Sequence, residues 1–236
     1  MRFRFSKLGK VRWTSHRDLA RMWERAIRRA QLPITYTGGF SPRPKVSFGL
    51  ALPTGAESVC EYLDAEFAVS PSSQGGADLD VITLPARLSP ALPAGIDVLA
   101  AAVIDDRAVS LQQEVTSCRW EVGVTGAPAA RLHDLVDRLL GAEAAVITRE
   151  RKGQSVSDDV RPAILSCSVL APGLLECELA TQPRGLRPSE MLRALDPELE
   201  ESGVRRTHQW IARDGAQREP LPLDATTAPH AGVRAS

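Results

Sequence analysis

The spacing of apolar residues changes within the first 30 positions, and this change constrains the fold more than any other feature of the sequence. Residues 2–5 alternate arginine with phenylalanine, the period of two that is typical of a half-buried strand. The next apolar residues share one helical stripe and are Leu19, Trp23, Ala26, Ile27 and Ala30. Ser15 can cap this helix, with Asp18 three residues on, and Pro33 ends it. We therefore expect a strand followed at once by an amphipathic helix.

The rest of the first half continues with mixed strand and helix patterns. Alternating apolar positions predict strands at 44–52 and 61–68. A short helix is expected around 81–92, after a glycine- and serine-rich segment at 70–78, and a strand begins at Ile96. The order strand, helix, strand, strand, helix, strand is that of a ferredoxin-like unit.

The second half repeats this order without obvious sequence identity. Further predicted strands lie at 117–126, 145–153, 163–181 and 203–212. Predicted helices begin at Pro128 and Pro188. We therefore predict an α+β fold of two tandem ferredoxin-like (βαββαβ) units with antiparallel sheets, residues 1–106 and 107–213. Residues 214–236 contain few large apolar side chains and are predicted to form a disordered tail.

Charge is unevenly distributed along the sequence. The whole chain has 29 basic and 29 acidic residues, but residues 1–50 have twelve Lys and Arg against two Asp and Glu, a net charge of +10. The remaining residues have 17 basic and 27 acidic side chains, a net charge of −10. Such segregation indicates binding to a polyanion or to an acidic surface, and the second half of this chain is one such surface.

Composition and motifs argue against several classes of protein. No apolar run approaches the roughly 18 residues of a membrane span and no signal-peptide core is present, so we expect a soluble, cytoplasmic protein that does not bind membranes. No P-loop, dinucleotide fingerprint or HExxH motif occurs. The cysteines form no CxxC pair, which predicts buried, reduced thiols, no metal site and no cofactor. They are Cys60, Cys118, Cys167 and Cys177.

The predicted helix after Ser15 has a cationic face opposite its apolar stripe, with Glu24 as the only acid on that face. Arginines at helical spacing repel one another unless an anion opposes them, and guanidinium groups favour bidentate contacts with phosphate or carboxylate. We therefore predict that this face binds RNA or a ribosomal RNA-protein surface. Solvation of the face, or its pairing with the acidic second half, is the alternative.

The segment YTGGFSPRPK, residues 36–45, extends this positive charge into a loop. Gly38 and Gly39 allow unusual backbone conformations and expose N–H groups that can cradle an anion, while two prolines stiffen the approach to Arg43 and Lys45. A plain connection between strands, with no ligand, is the alternative. The predicted nucleic-acid-binding residues are Arg17, Arg21, Arg25, Arg28, Arg29, Gly38, Gly39, Arg43 and Lys45.

The predicted sheet offers less to RNA than the helix and the loop. Alternating sheet positions carry no run of aromatic residues on which bases could stack. Arg2, Arg4 and Lys45 are placed to pair across strands with Asp64 and Glu66. The sequence therefore favours the helix and the loop as the interface.

His16 is the histidine best placed for catalysis. It lies in the first turn of the predicted helix, where it could act as general acid or base in RNA cleavage beside Lys or Arg. The alternative is a histidine packed or hydrogen-bonded at the helix start, and no triad or metal set can be assembled with His133, His208 or His230. We expect a binding protein rather than an enzyme, with an RNA-processing enzyme that uses His16 as an alternative.

Five N-terminal motifs resemble a known family. They are SHRDL, RAIRRA, LPI, YTGGFSPRP and EYLD, all within residues 15–64. Residues 1–68 closely resemble the radical-SAM-associated domain family of unknown function in its stand-alone form, and the similarity continues more loosely to residue 213.

This resemblance implies an accessory module rather than a defined activity. Members of that family occur alone or fused behind a B12-type radical S-adenosylmethionine protein, and stand-alone members are commonly encoded near a ribonuclease of the E/G type and ribosomal protein genes. The present chain lacks the CxxxCxxC cluster motif of the radical enzyme. The expected partner is RNA or the ribosome. The alternative is a protein-interaction or substrate-recognition subunit for a radical SAM protein, with a ribonuclease as a further possible partner.

Overall fold

Two compact units make up the chain in the computed structural model, which describes residues 1–68, 79–105, 108–151 and 153–223. Unit 1 contains residues 1–114 together with the described residues from Glu219 onward, and unit 2 contains residues 115–218. The glycine- and serine-rich segment predicted at 70–78 lies outside the described residues.

Unit 1 is an antiparallel sheet with one long helix. Its strands are β1 (Arg2–Lys7), β2 (Val46–Phe48), β3 (Glu57–Ala65) and β4 (Val98–Ala102). Its helices are α1 (His16–Arg29), α2 (Leu84–Leu88) and α3 (Leu111–Glu114), with 3-10 turns at Gly9–Trp13, Val81–Thr83 and Ser89–Ala91. β1 lies between β4 and β3, and β2 pairs with β3. In this register Phe3 of β1 is paired with Leu63 on one side and Ala101 on the other.

The start and the apolar face of α1 are as the sequence predicts. The Ser15 hydroxyl accepts a hydrogen bond from the Asp18 N–H at 3.2 Å and donates one to the Asp18 carboxylate at 2.7 Å. The apolar stripe is buried against the sheet, where the Trp23 ring lies 5.0 Å from that of Phe5 and 6.0 Å from that of Phe3. α1 therefore packs with one face on β1 and leaves the opposite face to solvent.

The other face of the unit 1 sheet is also covered. Cys60 and Tyr62 of β3 and Ala100 of β4 form a buried cluster with Leu111 of α3 and with Leu221. Leu221 reaches this cluster from the far end of the described chain, so the C-terminal residues complete the core of unit 1.

Unit 2 contains seven antiparallel strands and two helices among its described residues. Its strands are β5 (Ser117–Thr125), β6 (Val146–Arg151), β7 (Gln154–Asp159), β8 (Ile164–Ala171), β9 (Leu174–Ala180), β10 (Glu200–Arg213) and β11 (Ala216–Arg218). Its helices are α4 (Ala129–Gly141) and α5 (Pro188–Leu195), with a 3-10 turn at Arg161–Ala163. The strand order is β10, β5, β9, β8; β11 pairs with β10, and β6 and β7 form a separate hairpin. The predicted helix start at Pro188 is confirmed, and the helix predicted to begin at Pro128 begins one residue later, at Ala129, with Pro128 as its N-cap.

The α+β class is confirmed, but the prediction of two tandem ferredoxin-like units is wrong. The described residues form eleven strands, with only two helices longer than eight residues, instead of two sets of four strands and two helices. The hairpin of β6 and β7 comes between α4 and β8 and interrupts the predicted βαββαβ order. The units are not tandem either, because the chain returns to unit 1 after completing unit 2.

The prediction of a disordered tail from residue 214 is wrong for its described part. Residues 216–218 form β11 and pair with Ile211–Arg213 of β10. Leu221 is buried, and the Arg4 guanidinium donates hydrogen bonds to the Glu219 carboxylate at 2.6 Å and to the Leu221 carbonyl at 3.3 Å. These contacts join positions far apart in sequence, so local composition could not reveal them. Residues 224–236 lie outside the described part of the chain.

Candidate nucleic-acid interface

All five arginines of α1 are exposed to solvent. They are Arg17, Arg21, Arg25, Arg28 and Arg29. The buried stripe on the opposite side, centred on the fully buried Trp23, fixes the rotation of the helix about its own axis. Packing of the apolar face therefore determines which way the cationic face points.

Ion pairing neutralises only part of this cationic face. Arg21 lies 3.6 Å from Asp18, and Arg28 lies 4.0 Å from Glu24, both within the same helix. Among the described residues, Arg17, Arg25 and Arg29 have no ion-pair partner. Because exposed ion pairs contribute only about 0–1 kcal/mol, the two pairs on α1 are readily exchanged for contacts with an external anion.

The sheet arginines have a different environment. Arg2 and Arg4 are each only 4% exposed. Arg2 donates two hydrogen bonds to the carboxylate of Asp64, at 2.8 and 3.0 Å, and Arg4 donates one to Glu219. The predicted cross-strand pairing of Arg2 is thus confirmed, whereas Arg4 pairs with a residue from the far end of the chain. Buried and paired, both are unavailable to a ligand.

Residues 35–45 form a β-hairpin extension, which we call the arm. The Thr37 N–H donates to the Arg43 carbonyl at 2.8 Å, and the Lys45 N–H donates to the Thr35 carbonyl, also at 2.8 Å. The Arg43 N–H donates in turn to the Thr37 hydroxyl at 3.0 Å. Two backbone hydrogen bonds and an antiparallel bridge between Tyr36 and Pro44 therefore join the two sides of the arm, and its tip lies beyond them.

The tip of the arm contains the predicted glycines. Gly39 has φ +110°, a conformation that L side chains rarely adopt, which explains the need for glycine there. Gly38 and Gly39 are both exposed, and neither donates its N–H to another group among the described residues. Two adjacent exposed N–H groups thus lie at the tip, and anion binding by them stays a prediction.

The two cations of the arm differ in their pairing. Lys45 donates to both oxygens of Glu66, at 2.9 and 3.0 Å, which confirms the predicted cross-strand pair. Arg43 is exposed and has no ion-pair partner within the described part of the chain. We call Arg43, Lys45 and the five arginines of α1 the basic surface.

His16 lies at the start of α1, beside a small cleft. Its ring meets that of Phe48 edge-on, with 5.1 Å between the ring centres, and no hydrogen bond joins it to a carboxylate among the described residues. Lys7, which also lines the cleft, is buried and donates from Nζ to the Thr14 carbonyl at 3.0 Å. Burial lowers the pKa of Lys7, against the opposing effect of the Glu61 charge. Lys7 thus holds the chain before α1 in place, and a catalytic role for His16 stays a prediction.

The cysteines are buried, as predicted. Cys167 of β8 is the cross-strand partner of Cys177 of β9, and burial raises the pKa of Cys167 to about 11. Within the described residues, no group of three or more His, Cys, Asp or Glu side chains is arranged to hold a metal ion. None of the helices that the structure describes is both long enough and apolar enough to cross a membrane.

Sequence reasoning missed two side chains near the basic surface. Phe40 lies at the tip of the arm with its ring fully exposed. Its position between Gly39 and Ser41, in a segment already predicted to be a loop, was the available signal. Arg87 of α2 donates a hydrogen bond to the Ala30 carbonyl at 3.0 Å and adds a further exposed cation at the end of α1. No local pattern could place it there.

Comparison with known proteins identifies a family that covers most of the chain. Residues 1–191 match the family described as uncharacterised proteins conserved in bacteria, DUF2344. A comparison with curated proteins found no match. The family description names neither an activity nor a radical SAM partner. By the extent of this match, the chain belongs to the DUF2344 family.

Proposed function

We propose that this protein binds RNA, alone or as part of a ribosomal RNA-protein surface, through the basic surface. The observation that carries the proposal is the set of exposed arginines with no ion-pair partner among the described residues: Arg17, Arg25, Arg29 and Arg43. Their guanidinium groups are suited to bidentate contacts with phosphate oxygens.

The distribution of charge in unit 1 supports a polyanion as the ligand. The arginines on the sheet, Arg2 and Arg4, are buried and paired with carboxylates, so their charges are already neutralised within unit 1. Those on α1 are exposed, and the arginines spaced four residues apart along the helix repel one another. An arrangement that costs stability in the isolated protein is explained when a ligand with closely spaced negative charges opposes it.

The direct test measures RNA affinity across a salt series. A labelled, structured RNA is titrated with protein from about 50 to 200 mM salt, and the slope of log K against log salt is recorded. Arg21→Glu combined with Arg25→Glu should weaken binding and reduce the slope. The matched control is Arg138→Glu with Arg193→Glu, the same charge change at exposed positions of α4 and α5.

Each outcome bears on the proposal. Weakening by the α1 pair but not by the control pair supports it. The proposal is refuted if the folded wild-type protein does not bind RNA, or if its binding does not depend on salt. Equal effects of both pairs would show that only net charge matters, and would refute the assignment of the interface to α1.

Partnership and location, as implied by the resemblance and by composition, are further proposals. They comprise docking to a radical SAM protein or a ribonuclease, and residence in the cytoplasm. Retention of such a partner after nuclease treatment, with no RNA present, would favour a protein-interaction subunit. An RNA product pattern unchanged by His16→Ala would remove the processing-enzyme alternative.

A further inference from the structure

The arm displays an aromatic ring at its tip. Phe40 is fully exposed, and Tyr36, at the base of the arm, is about half exposed. Phenylalanine is among the residues most often buried in folded proteins, and a ring of this size makes a large apolar contact when it is covered. A fully exposed phenylalanine on a turn is therefore a candidate contact residue.

The arm also restricts where this ring can go. The hydrogen bonds of Thr37 with Arg43 close the hairpin directly below the tip. Pro42 lies within the tip and fixes one backbone dihedral, and Gly39 supplies the positive φ that turns the chain. A ligand that covers Phe40 therefore orders less free chain than it would on a flexible loop, which favours binding.

The groups around Phe40 match the parts of a nucleotide. Arg43 provides an exposed guanidinium without an ion-pair partner in the described part of the chain. Gly38 and Gly39 provide N–H groups that donate to no other described group. Aromatic faces stack on bases and cations contact phosphates. The tip carries no second large apolar side chain, so it does not form the apolar patch that a protein partner would cover.

We propose that Phe40 stacks on an unpaired RNA base while Arg43 contacts an adjacent phosphate, so that the ligand is RNA with at least one unpaired nucleotide. This inference rests on the proposed RNA-binding function and narrows its ligand. In an A-form duplex the bases are stacked on one another within a deep, narrow major groove, which denies their faces to an inserted ring. A fully paired RNA would contact only the arginines.

The test uses a stem-loop RNA with 2-aminopurine in the loop and a fully paired duplex of the same stem. Stacking of Phe40 on the modified base should quench its fluorescence. Phe40→Ala should lower the affinity for the stem-loop by about tenfold, abolish the quenching and leave the duplex affinity unchanged. Phe40→Trp should retain both effects. Phe40→Leu should behave as Phe40→Ala, because a leucine side chain is apolar but has no ring to stack.

The outcomes separate the two proposals. If the stem-loop binds but neither its affinity nor the quenching depends on Phe40, the stacking inference is wrong and RNA binding stands. If Phe40→Leu matches the wild type, the contact is apolar rather than stacked, and the inference also fails. If folded wild-type protein binds neither RNA, both proposals fail. Since Phe40 is fully exposed, unchanged thermal unfolding of Phe40→Ala verifies that affinity alone is affected.

Discussion

Replacing Arg17, Arg25 and Arg29 with glutamine should weaken RNA binding while leaving the fold intact. All three side chains are exposed, and none has an ion-pair partner among the described residues. Glutamine has a helix propensity close to that of arginine, so the change removes charge and little else. Surface substitutions of this kind alter the free energy of unfolding by about 0.5 kcal/mol or less.

The size of the binding effect follows from counterion release. Each contact between an arginine and a phosphate contributes about 0.7 to 0.9 to the slope of log K against log salt, depending on whether the nucleic acid is single- or double-stranded. Loss of three contacts should therefore reduce the slope by about 2 to 3. At about 0.1 M salt the same relation gives a loss of affinity of about five- to eightfold for each contact.

Fluorescence anisotropy with a labelled stem-loop RNA measures the slope, and urea denaturation checks stability. The control variant changes Arg138, Arg193 and Arg213 to glutamine, three exposed arginines of unit 2. Its slope should remain that of the wild type. If the slope of the α1 variant equals that of the control, these arginines do not contact phosphate and the reasoning is refuted. Loss of stability by much more than about 0.5 kcal/mol would show that the three arginines have a structural role.

Three predictions concern stability. Trp23→Ala, in the core of unit 1, should lower the free energy of unfolding by about 3–5 kcal/mol in urea denaturation, and a near-neutral result would contradict its full burial. Arg4→Met leaves the Glu219 carboxylate without its cation and should lower the free energy of unfolding by about 3–5 kcal/mol. Adding Glu219→Met should recover part of this loss. A double variant whose loss equals the sum of the two single losses would argue against the pair. Backbone hydrogen bonds lower the pKa of Asp159 below its usual 3.8, and the bond from the Ala145 N–H has the largest effect. The stabilisation by the charged Asp159 carboxylate is therefore present at neutral pH and lost as pH falls through that lowered pKa. Asp159→Asn should have a lower midpoint of thermal unfolding than the wild type at pH 7, and that midpoint should fall less on acidification.

Local patterns predict the elements that depend on neighbouring residues. The α1 helix is one case, because its cap at Ser15, its buried stripe and its termination before Pro33 are each properties of a few adjacent positions. The helix starts after Pro128 and at Pro188 have the same basis. The cationic face of α1 follows from the same spacing, so most of the candidate site could be predicted.

Local patterns did not predict which side chains and strands pair with each other. Arg4 lies in a strand that alternates like any half-buried strand, yet its partner is Glu219, more than 200 positions away. The hairpin of β6 and β7 has polar and charged side chains on both strands, so its pattern did not distinguish an inserted hairpin from the strands of a sheet. Both errors affected the predicted fold, because topology depends on which strands pair and not on how many there are.

By itself the sequence determined that unit 1 begins with a strand and an amphipathic helix, and that the helix has an arginine face, because side-chain direction in a helix follows from spacing alone. Only the tertiary structure decided which arginines are available to a ligand. It buried Arg2 and Arg4 against carboxylates and left Arg17, Arg25 and Arg29 exposed. The physical reason is that pairing and burial depend on residues brought together from distant parts of the chain, whereas periodicity depends on neighbours.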